Sequence, residues 1–477
     1  MSEEDRPSPD PVRDMSPDQF RKWGGEVVEW VARYLETVEE LPVMAQVRPG
    51  DIRSQLPQSP PEGGESMEAI LADLDRIIVP GITHWNHPSF FAYFPSSAAG
   101  AGILGEMLSA ALNVNGMVWK TSPSATELES TVLDWLRQMI GLSADFQGIV
   151  YDTTSVGTFH ALTAARNAIP EWDVAENGVA GPDAPRLTLY TSEHAHSSVE
   201  KGALAIGLGR RGVRKIPVDS EYRMDVAALE AAIQKDRAAG FRPFCVSATV
   251  GTTSTTSIDP VDRIADVTER EGLWLHVDAA YAGAAAILPE RADILSGCNR
   301  ADSFVMNPHK WMFTPIEFTA FYTRRPDALR AAFSLVPEYL KTAEDASVTN
   351  YMDYGIQLGR RFRSLKLWMV MRYFGVDGFR SLLGEHMRLA RLFASFVEQD
   401  SRFEIAAPVP FSTVCFRLRT GDDDNSRLME RVNATGKIFI SHTRVDDRFT
   451  LRFSIGNVKT EERHVRDAWD LIASEAG

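Results

Sequence analysis

From about residue 148 the chain alternates short apolar runs with amphipathic stretches. The runs 148–151, 186–191, 244–250, 273–277, 303–306 and 318–322 have the length and composition of buried strands. Between them, 155–168, 197–208 and 261–271 carry apolar residues at helical spacing. Alternation of this kind predicts an α/β fold with a mainly parallel sheet and helices on both faces. Ligands on such sheets sit at the carboxyl ends of the strands.

The flanks read differently. Residues 1–14 are polar and Pro-rich. Ser16-Pro17-Asp18 opens a helix, with proline suited to the first turn. Phe20, Trp23, Val27, Val28, Val31 and Leu35 form one apolar face of it. Nothing local covers that face before the Pro-rich stretch 57–61, so it must pack on another domain or subunit. A second amphipathic helix covers 125–142. Residues 336–357 lack a period and read as a long loop, a feature usually tied to function or disorder. A helix after Arg363 leads into a C-terminal αβ region ending near Ala473.

Length and composition narrow the classes. At 477 residues the chain predicts two or three domains. A net charge of −15 argues against nucleic acid and anionic membrane as partners. Cys245, Cys298 and Cys415 are widely spaced, which suits a reducing cytoplasm and neither a disulfide framework nor a zinc site. The acidic start Met1-Ser2-Glu3-Glu4-Asp5 is not a signal peptide, and no apolar run is long enough to span a membrane.

Candidate chemistry concentrates at strand ends. Lys310, in Asn307-Pro308-His309-Lys310-Trp311, lies between apolar runs. A lysine drawn into an apolar pocket loses its proton more readily and becomes a nucleophile for carbonyls. Asp278 ends the preceding predicted strand, in His276-Val277-Asp278-Ala279-Ala280-Tyr281. Alone, such a lysine is usually solvated and such an aspartate is a turn or cap residue. Together they suit pyridoxal phosphate, whose aldehyde a lysine holds as an imine and whose pyridine nitrogen an aspartate keeps protonated. Thr153-Thr154-Ser155, between a strand and a helix, is either a phosphate cup or a plain N-cap. His196 could lie on the pyridine ring or cap its helix. His194 and His196 also have a metal-like spacing, but no carboxylate or cysteine cluster accompanies them, so no metal is expected. Gly251-Thr252-Thr253 offers hydroxyls at a further strand end.

With these motifs and His84-Trp85-Asn86-His87-Pro88, Ala92-Tyr93-Phe94-Pro95, Ala195–Glu200 and Leu358–Lys366, the chain resembles the group II pyridoxal-phosphate-dependent decarboxylases, especially the aromatic L-amino acid branch. The resemblance runs from about Trp23 to Ala473. It implies a fold-type-I transferase architecture with a seven-stranded sheet. It also implies an N-terminal helical dimerisation segment (1–99), a large cofactor domain (100–367) and a small C-terminal α+β domain (368–477). It implies that Lys310 carries the cofactor, Asp278 pairs with the pyridine nitrogen, Ala280 packs beneath the ring and His196 stacks above it. Thr154, Ser155, Asn307 and His309 would surround the phosphate, with Thr253 beside the ring. Trp85, Tyr93, Pro95 and Ser96 would border the substrate. Tyr339, on the long loop, matches the family's catalytic tyrosine, and the loop would close from the neighbouring subunit of an obligate homodimer. Asn115 and Met117 stand where animal members carry larger apolar residues, and Gly359 leaves room for a bulky side chain.

The expected reaction is decarboxylation of aromatic L-amino acids to amines. Three alternatives remain open. Decarboxylation with oxidative deamination to an aldehyde is one, disfavoured by the presence of Tyr339 and His196. A non-aromatic substrate is another, kept open by Asn115 and Met117. A catalytically silent scaffold is the third, opposed by the Lys310, Asp278 and Tyr339 set.

Overall fold

The computed structural model describes residues 14–335, 343–344 and 347–477. Contacts divide the chain into two compact units, Met1–His87 and Pro88–Gly477. In the first, helix Pro17–Thr37 starts where the sequence places it. Ser16 and Gln19 form a reciprocal capping box that satisfies two backbone N–H groups. None of its residues is buried, and Phe20, Val27 and Val28 are exposed. Trp30 Nε1 donates to Asp75 (2.6 Å), and the Tyr34 hydroxyl meets His84 Nδ1 (2.9 Å).

The second unit is built on a seven-stranded sheet: β1 (Gln147–Tyr151), β2 (Leu187–Ser192), β3 (Val213–Ile216), β4 (Arg242–Thr249), β5 (Trp274–Asp278), β6 (Ser303–Met306) and β7 (Thr319–Thr323). Their order is β1-β7-β6-β5-β4-β2-β3. Pairings from β6 through β3 are parallel, and β7 runs antiparallel to both neighbours. Side-chain alternation divides the strands between two cores. Val246, Leu275, Val277 and Phe304 join one, with helices Pro123–Ile140, Val226–Ala238 and Val261–Glu271. Cys245, Trp274, Val305 and Phe321 join the other, with helices Thr154–Asn167 and Ser197–Ala205. The period of two puts successive residues on opposite faces, so both faces are covered.

The sequence reading found six of these strands within a few residues and missed β3, a short edge strand of Val213-Arg214-Lys215-Ile216. It also stopped short of resolving the C-terminal region. That region holds a four-stranded antiparallel sheet of β8 (Phe403–Ile405), β9 (Thr413–Leu418), β10 (Ser441–Val445) and β11 (Arg448–Ser454), in the order β10-β11-β9-β8. The long helix Ser364–Gln399, broken at Gly375, links the two sheets. Its second half packs Phe393 flat on Phe453 of β11, ring centres 3.8 Å apart. Among the described residues no helix is long and apolar enough to cross a membrane.

Burial holds four histidines of this unit neutral. Desolvation pushes His160 and His309 down to about 3, and His276 and His386 down to about 4. In an unfolded chain each takes up a proton near pH 6.5. Below that value the unfolded state binds more protons than the folded one, so stability falls as pH falls. Buried Asp259, raised to about 6, works in the opposite direction. Four histidines outweigh this one carboxyl, so the balance is a loss of stability as pH falls from 6 to 5. Urea midpoints measured from pH 7 to 5 should fall steeply; a flat profile would contradict the buried neutral histidines.

Candidate active site

The site forms where β5 and β6 end side by side. Their parallel pairing sets Asp278 opposite Val305. Backbone bonds continue the ladder past both strands: Ala279 N–H donates to Val305 (2.9 Å) and Asn307 N–H to Ala280 (3.0 Å). Asn307 then caps the single helical turn Pro308–Trp311, with proline at its start. That turn carries Lys310 back towards Asp278. On the other side of β5, Val250 N–H donates to the Asp278 carbonyl (2.8 Å). The chain leaves β4 through Gly251 at φ +88°, where a Cβ would lie 2.6 Å from Ala282 Cβ. Only glycine fits that turn, and it sets Thr252 and Thr253 beside the strand ends.

Asp278 is buried, and Oδ1 accepts the Ala280 N–H (2.9 Å). Among the described residues no donor meets Oδ2, which leaves that oxygen open to a further partner. Lys310 has no ion-pair partner within reach among them either. Desolvation lowers its pKa, Asp278 opposes that shift, and Arg452 adds to it. The amine lies 5.1 Å from the ring centre of Phe94, and the Arg452 guanidinium lies 5.1 Å from the same ring. Phe94 stacks on Tyr281 (4.0 Å), and Tyr281 on Trp311 (4.8 Å), whose Nε1 donates to His386 (2.9 Å). An aromatic column therefore braces the turn that holds the lysine.

His196 caps helix Ser197–Ala205, and its Nδ1 accepts the Ser198 N–H (3.1 Å). A nitrogen that accepts a backbone N–H carries no proton, so in the neutral ring the proton is on Nε2. Desolvation lowers the His196 pKa, Asp278 raises it and Lys310 lowers it, so all three side chains share one electrostatic environment. Asn307 is buried, and its Oδ1 accepts from the Thr154 hydroxyl (2.7 Å) and the Thr319 hydroxyl (2.6 Å). That double anchor fixes the amide and leaves its N–H donors for another group. Thr154 and the exposed Ser155 begin helix Thr154–Asn167, whose first backbone N–H groups favour an anion.

The other candidate positions divide. His309 is buried and accepts the Phe318 N–H on Nδ1 (3.0 Å); its carbonyl accepts the Ser96 hydroxyl. Ala280 is buried between Asp278 and Asn307, and Thr253 is half-buried after β4. Tyr93, at φ +52°, donates its N–H to Ser441 (3.0 Å), and buried Pro95 packs on Gly456. Asn115, Met117 and Gly359 gather in a separate cluster. There Asn115 accepts the Arg360 N–H (2.9 Å), and its Nδ2 meets Met117 Sδ (3.6 Å). Those bonds continue from Arg360 to Glu129 and not to Lys310. Trp85 is exposed in the first unit, and Tyr339 lies outside the described residues. Sequence reasoning missed Phe94, Tyr281, Thr319 and Arg452. Arg452 is buried, with bonds to the carbonyls of Ser254 (3.0 Å) and Tyr93 (3.3 Å). Among the described residues, groups of three or more metal-ligating side chains are absent.

This donor set fits pyridoxal phosphate. The open Asp278 oxygen suits a protonated ring nitrogen, the half-buried Lys310 amine suits an aldehyde, and the anchored Asn307 amide with the helix start at Thr154 suits a phosphate.

Comparison with known proteins points the same way. The profile of the pyridoxal-dependent decarboxylase conserved domain matches residues 49–419. Tryptophan decarboxylase 2 of Oryza sativa subsp. japonica is 41% identical, over 98% of this chain and 96% of its own. Phenylacetaldehyde synthase of Arabidopsis thaliana is 40% identical, over 98% of this chain and 97% of its own. The crystal structure of Oryza sativa TDC with PLP and tryptamine superposes with a TM-score of 0.94 at 39% identity, covering 98% of this chain and 99% of that one. A profile spanning most of the chain and relatives aligned almost end to end leave one assignment: this chain belongs to the pyridoxal-dependent decarboxylase family.

Proposed function

We propose that the protein decarboxylates aromatic L-amino acids to the corresponding amines and CO2. The observation that carries this is the open oxygen of buried Asp278 near the half-buried, desolvated Lys310, in a chain whose relatives include a tryptophan decarboxylase. Pyridoxal phosphate, when bound, supplies an aldehyde for amines and an electron sink for the breaking Cα–carboxylate bond.

The protein's own groups do the rest. Lys310 holds the cofactor between turnovers, and burial with the nearby Arg452 charge favours its neutral, nucleophilic form. Asp278 keeps the ring nitrogen protonated. Ala280 offers a small surface under the ring, and His196 covers the opposite face with Nε2–H directed by its capping bond. Thr154, Ser155, Asn307 and His309 hold the phosphate, and Thr253 borders the ring. Tyr93, Pro95 and Ser96 line the substrate side. The Tyr339 hydroxyl returns a proton to Cα after CO2 leaves. Asn115, Met117 and Gly359, apart from Lys310 within one chain, belong to the pocket of a second copy.

The surface of helix Gly100–Leu112 supports a homodimer. Its glycine side packs inward, Gly105 against the Lys366 backbone. Its other side exposes Leu104 (51%), Leu108 (49%) and Leu112 (58%) at helical spacing, an apolar stripe that needs a cover. Residues 1–99 serve dimerisation, 100–367 hold the cofactor and 368–477 form the small domain. The unpaired, buried Cys245, Cys298 and Cys415 suit a reducing cytoplasm. The aldehyde-forming relative keeps oxidative decarboxylation as a second reading.

A product assay by mass spectrometry decides among these readings. Cofactor-loaded protein given tryptophan, tyrosine, dihydroxyphenylalanine, phenylalanine, histidine or glutamate should release amine from the aromatic substrates. Lys310→Ala should abolish both product and the bound-cofactor absorbance, and Tyr339→Phe should shift output from amine to aldehyde. Aldehyde from the unmodified protein would overturn the amine reading; amine from glutamate or histidine alone would overturn the substrate class.

The role given to Arg452 can be read in cofactor-free protein. Arg452→Gln removes a positive charge, so Lys310 should stay protonated to higher pH. Acetylation of Lys310 by acetic anhydride, followed by peptide mass spectrometry, should then need a higher pH, while Arg452→Lys should retain the original midpoint. An unchanged midpoint in Arg452→Gln would remove Arg452 from the account.

The dimer has its own check. Leu104→Asp with Leu108→Asp should shift the protein towards monomer in analytical ultracentrifugation and lower turnover. An unchanged sedimentation coefficient would place the interface elsewhere.

A further inference from the structure

The opposite end of the sheet holds a cavity of about 400 Å³, a size typical of small-molecule sites. It opens at the amino end of β2, where Pro185, Arg186 and Leu187 form one wall. The catalytic groups follow the carboxyl ends. The six residues of β2 alone put about 20 Å between its two ends. The segment that covers the cavity is pinned by its own bond, Trp172 Nε1 to the Gly178 carbonyl (2.8 Å).

The lining is cationic, with Arg186 and Arg211 exposed to solvent and Arg166 half-buried. Its apolar walls include Trp172, Val179, Leu208 and Phe241. Its charged side chains are Arg166, Arg186 and Arg211, and no acid lines it. Neighbouring cations have carboxylate partners: Arg214 pairs with Asp236 (2.8 Å), Arg242 with Glu171 (2.7 Å), and Lys215 (3.1 Å) and Arg210 (3.4 Å) share Glu200. Among the described residues the three lining arginines have no carboxylate partner, in a chain with 65 acidic residues and 50 basic ones. The Arg186 guanidinium sits over Phe241, 3.9 Å from its ring centre. Arg166 donates to the Ile206 carbonyl (2.7 Å) and to Asn167 (3.1 Å), so its guanidinium is held against the wall.

We propose that this cavity binds an aryl carboxylate that carries no ammonium group. The guanidinium fork matches a carboxylate, and Trp172 and Phe241 match an aromatic body. An amino acid or an arylalkylamine would bring an ammonium group to a lining of arginines with no acid to receive it. The cavity thus discriminates against the very compounds that the catalytic site is proposed to handle, and the proposal does not depend on that reading.

Equilibrium dialysis of the cofactor-loaded protein with labelled indole-3-acetate tests it. The protein should bind one molecule per chain, about tenfold tighter than uncharged 3-methylindole. Arg186→Gln with Arg211→Gln should weaken indole-3-acetate by about tenfold or more while leaving 3-methylindole, turnover and cofactor absorbance unchanged. Ala184→Trp, which fills the cavity and keeps the arginines, should abolish binding of both. The proposal is overturned by no saturable binding at about 1 mM, a weak affinity for a small ligand. Binding that survives both variants, which would place the probe in the catalytic site, overturns it equally.

Discussion

The parallel pairing of β5 with β6 is the constraint on which the catalytic arrangement rests. Neither Asp278 nor Lys310 is near the other in sequence, and neither is held by a side-chain bond to the other. What joins them is backbone: the ladder that sets Asp278 opposite Val305, and its two extensions, Ala279 to Val305 and Asn307 to Ala280. Each extension satisfies a polar group that would otherwise end a buried strand unpaired, so the geometry is maintained by the cost of breaking it. The antiparallel β7 adds a further restraint from the far side. Its Thr319 hydroxyl joins that of Thr154 on Asn307 Oδ1, linking three segments of chain at one amide.

Electrostatics give that backbone frame its chemical character. Lys310 and the Arg452 guanidinium flank Phe94, and Asp278 is the buried carboxylate that acts on Lys310. Arg452 itself is buried among carbonyls and hydroxyls, with no ion-pair partner among the described residues. Such an environment disfavours a further positive charge and welcomes an anion. Both requirements belong to a site that must keep an amine neutral and accept a phosphorylated, carboxylate-bearing assembly.

Much of this was legible in the sequence because buried parallel strands write themselves as short continuous apolar runs, and Asp278 and Lys310 stand at the ends of two of them. β3 was not legible: with Arg214 and Lys215 at its centre it is a half-exposed edge strand, and apolar length is the signal it lacks. Arg452 was hidden for a different reason. Along β11, Phe449, Leu451 and Phe453 face the small-domain core, so alternation assigns Thr450, Arg452 and Ser454 to solvent. That second face is instead buried, because Arg452 reaches Ser254 beyond β4 and Tyr93 ahead of the large sheet. Period-two reasoning identifies one covered face and cannot see a second layer that arrives from distant sequence. The same limit applies to Phe94 and Tyr281, which read as ordinary core aromatics until their stacking under Lys310 is known.

The neutral histidines tie fold and site into one pH response. His276 is within electrostatic reach of Asp278, and His309 is next to Lys310 in the chain and feels its charge. Burial makes protonating either ring costly, and at His309 the neighbouring Lys310 adds to that cost. Each ring instead makes a hydrogen bond on Nδ1, His309 accepting from Phe318 and His276 meeting Ser303 at 2.9 Å. His309 thereby ties the lysine turn to the segment entering β7, and His276 sits on β5 against β6. The bonds that align the strands and the neutrality that protects the lysine are therefore properties of the same rings. Acid that charges them attacks the alignment and the chemistry together.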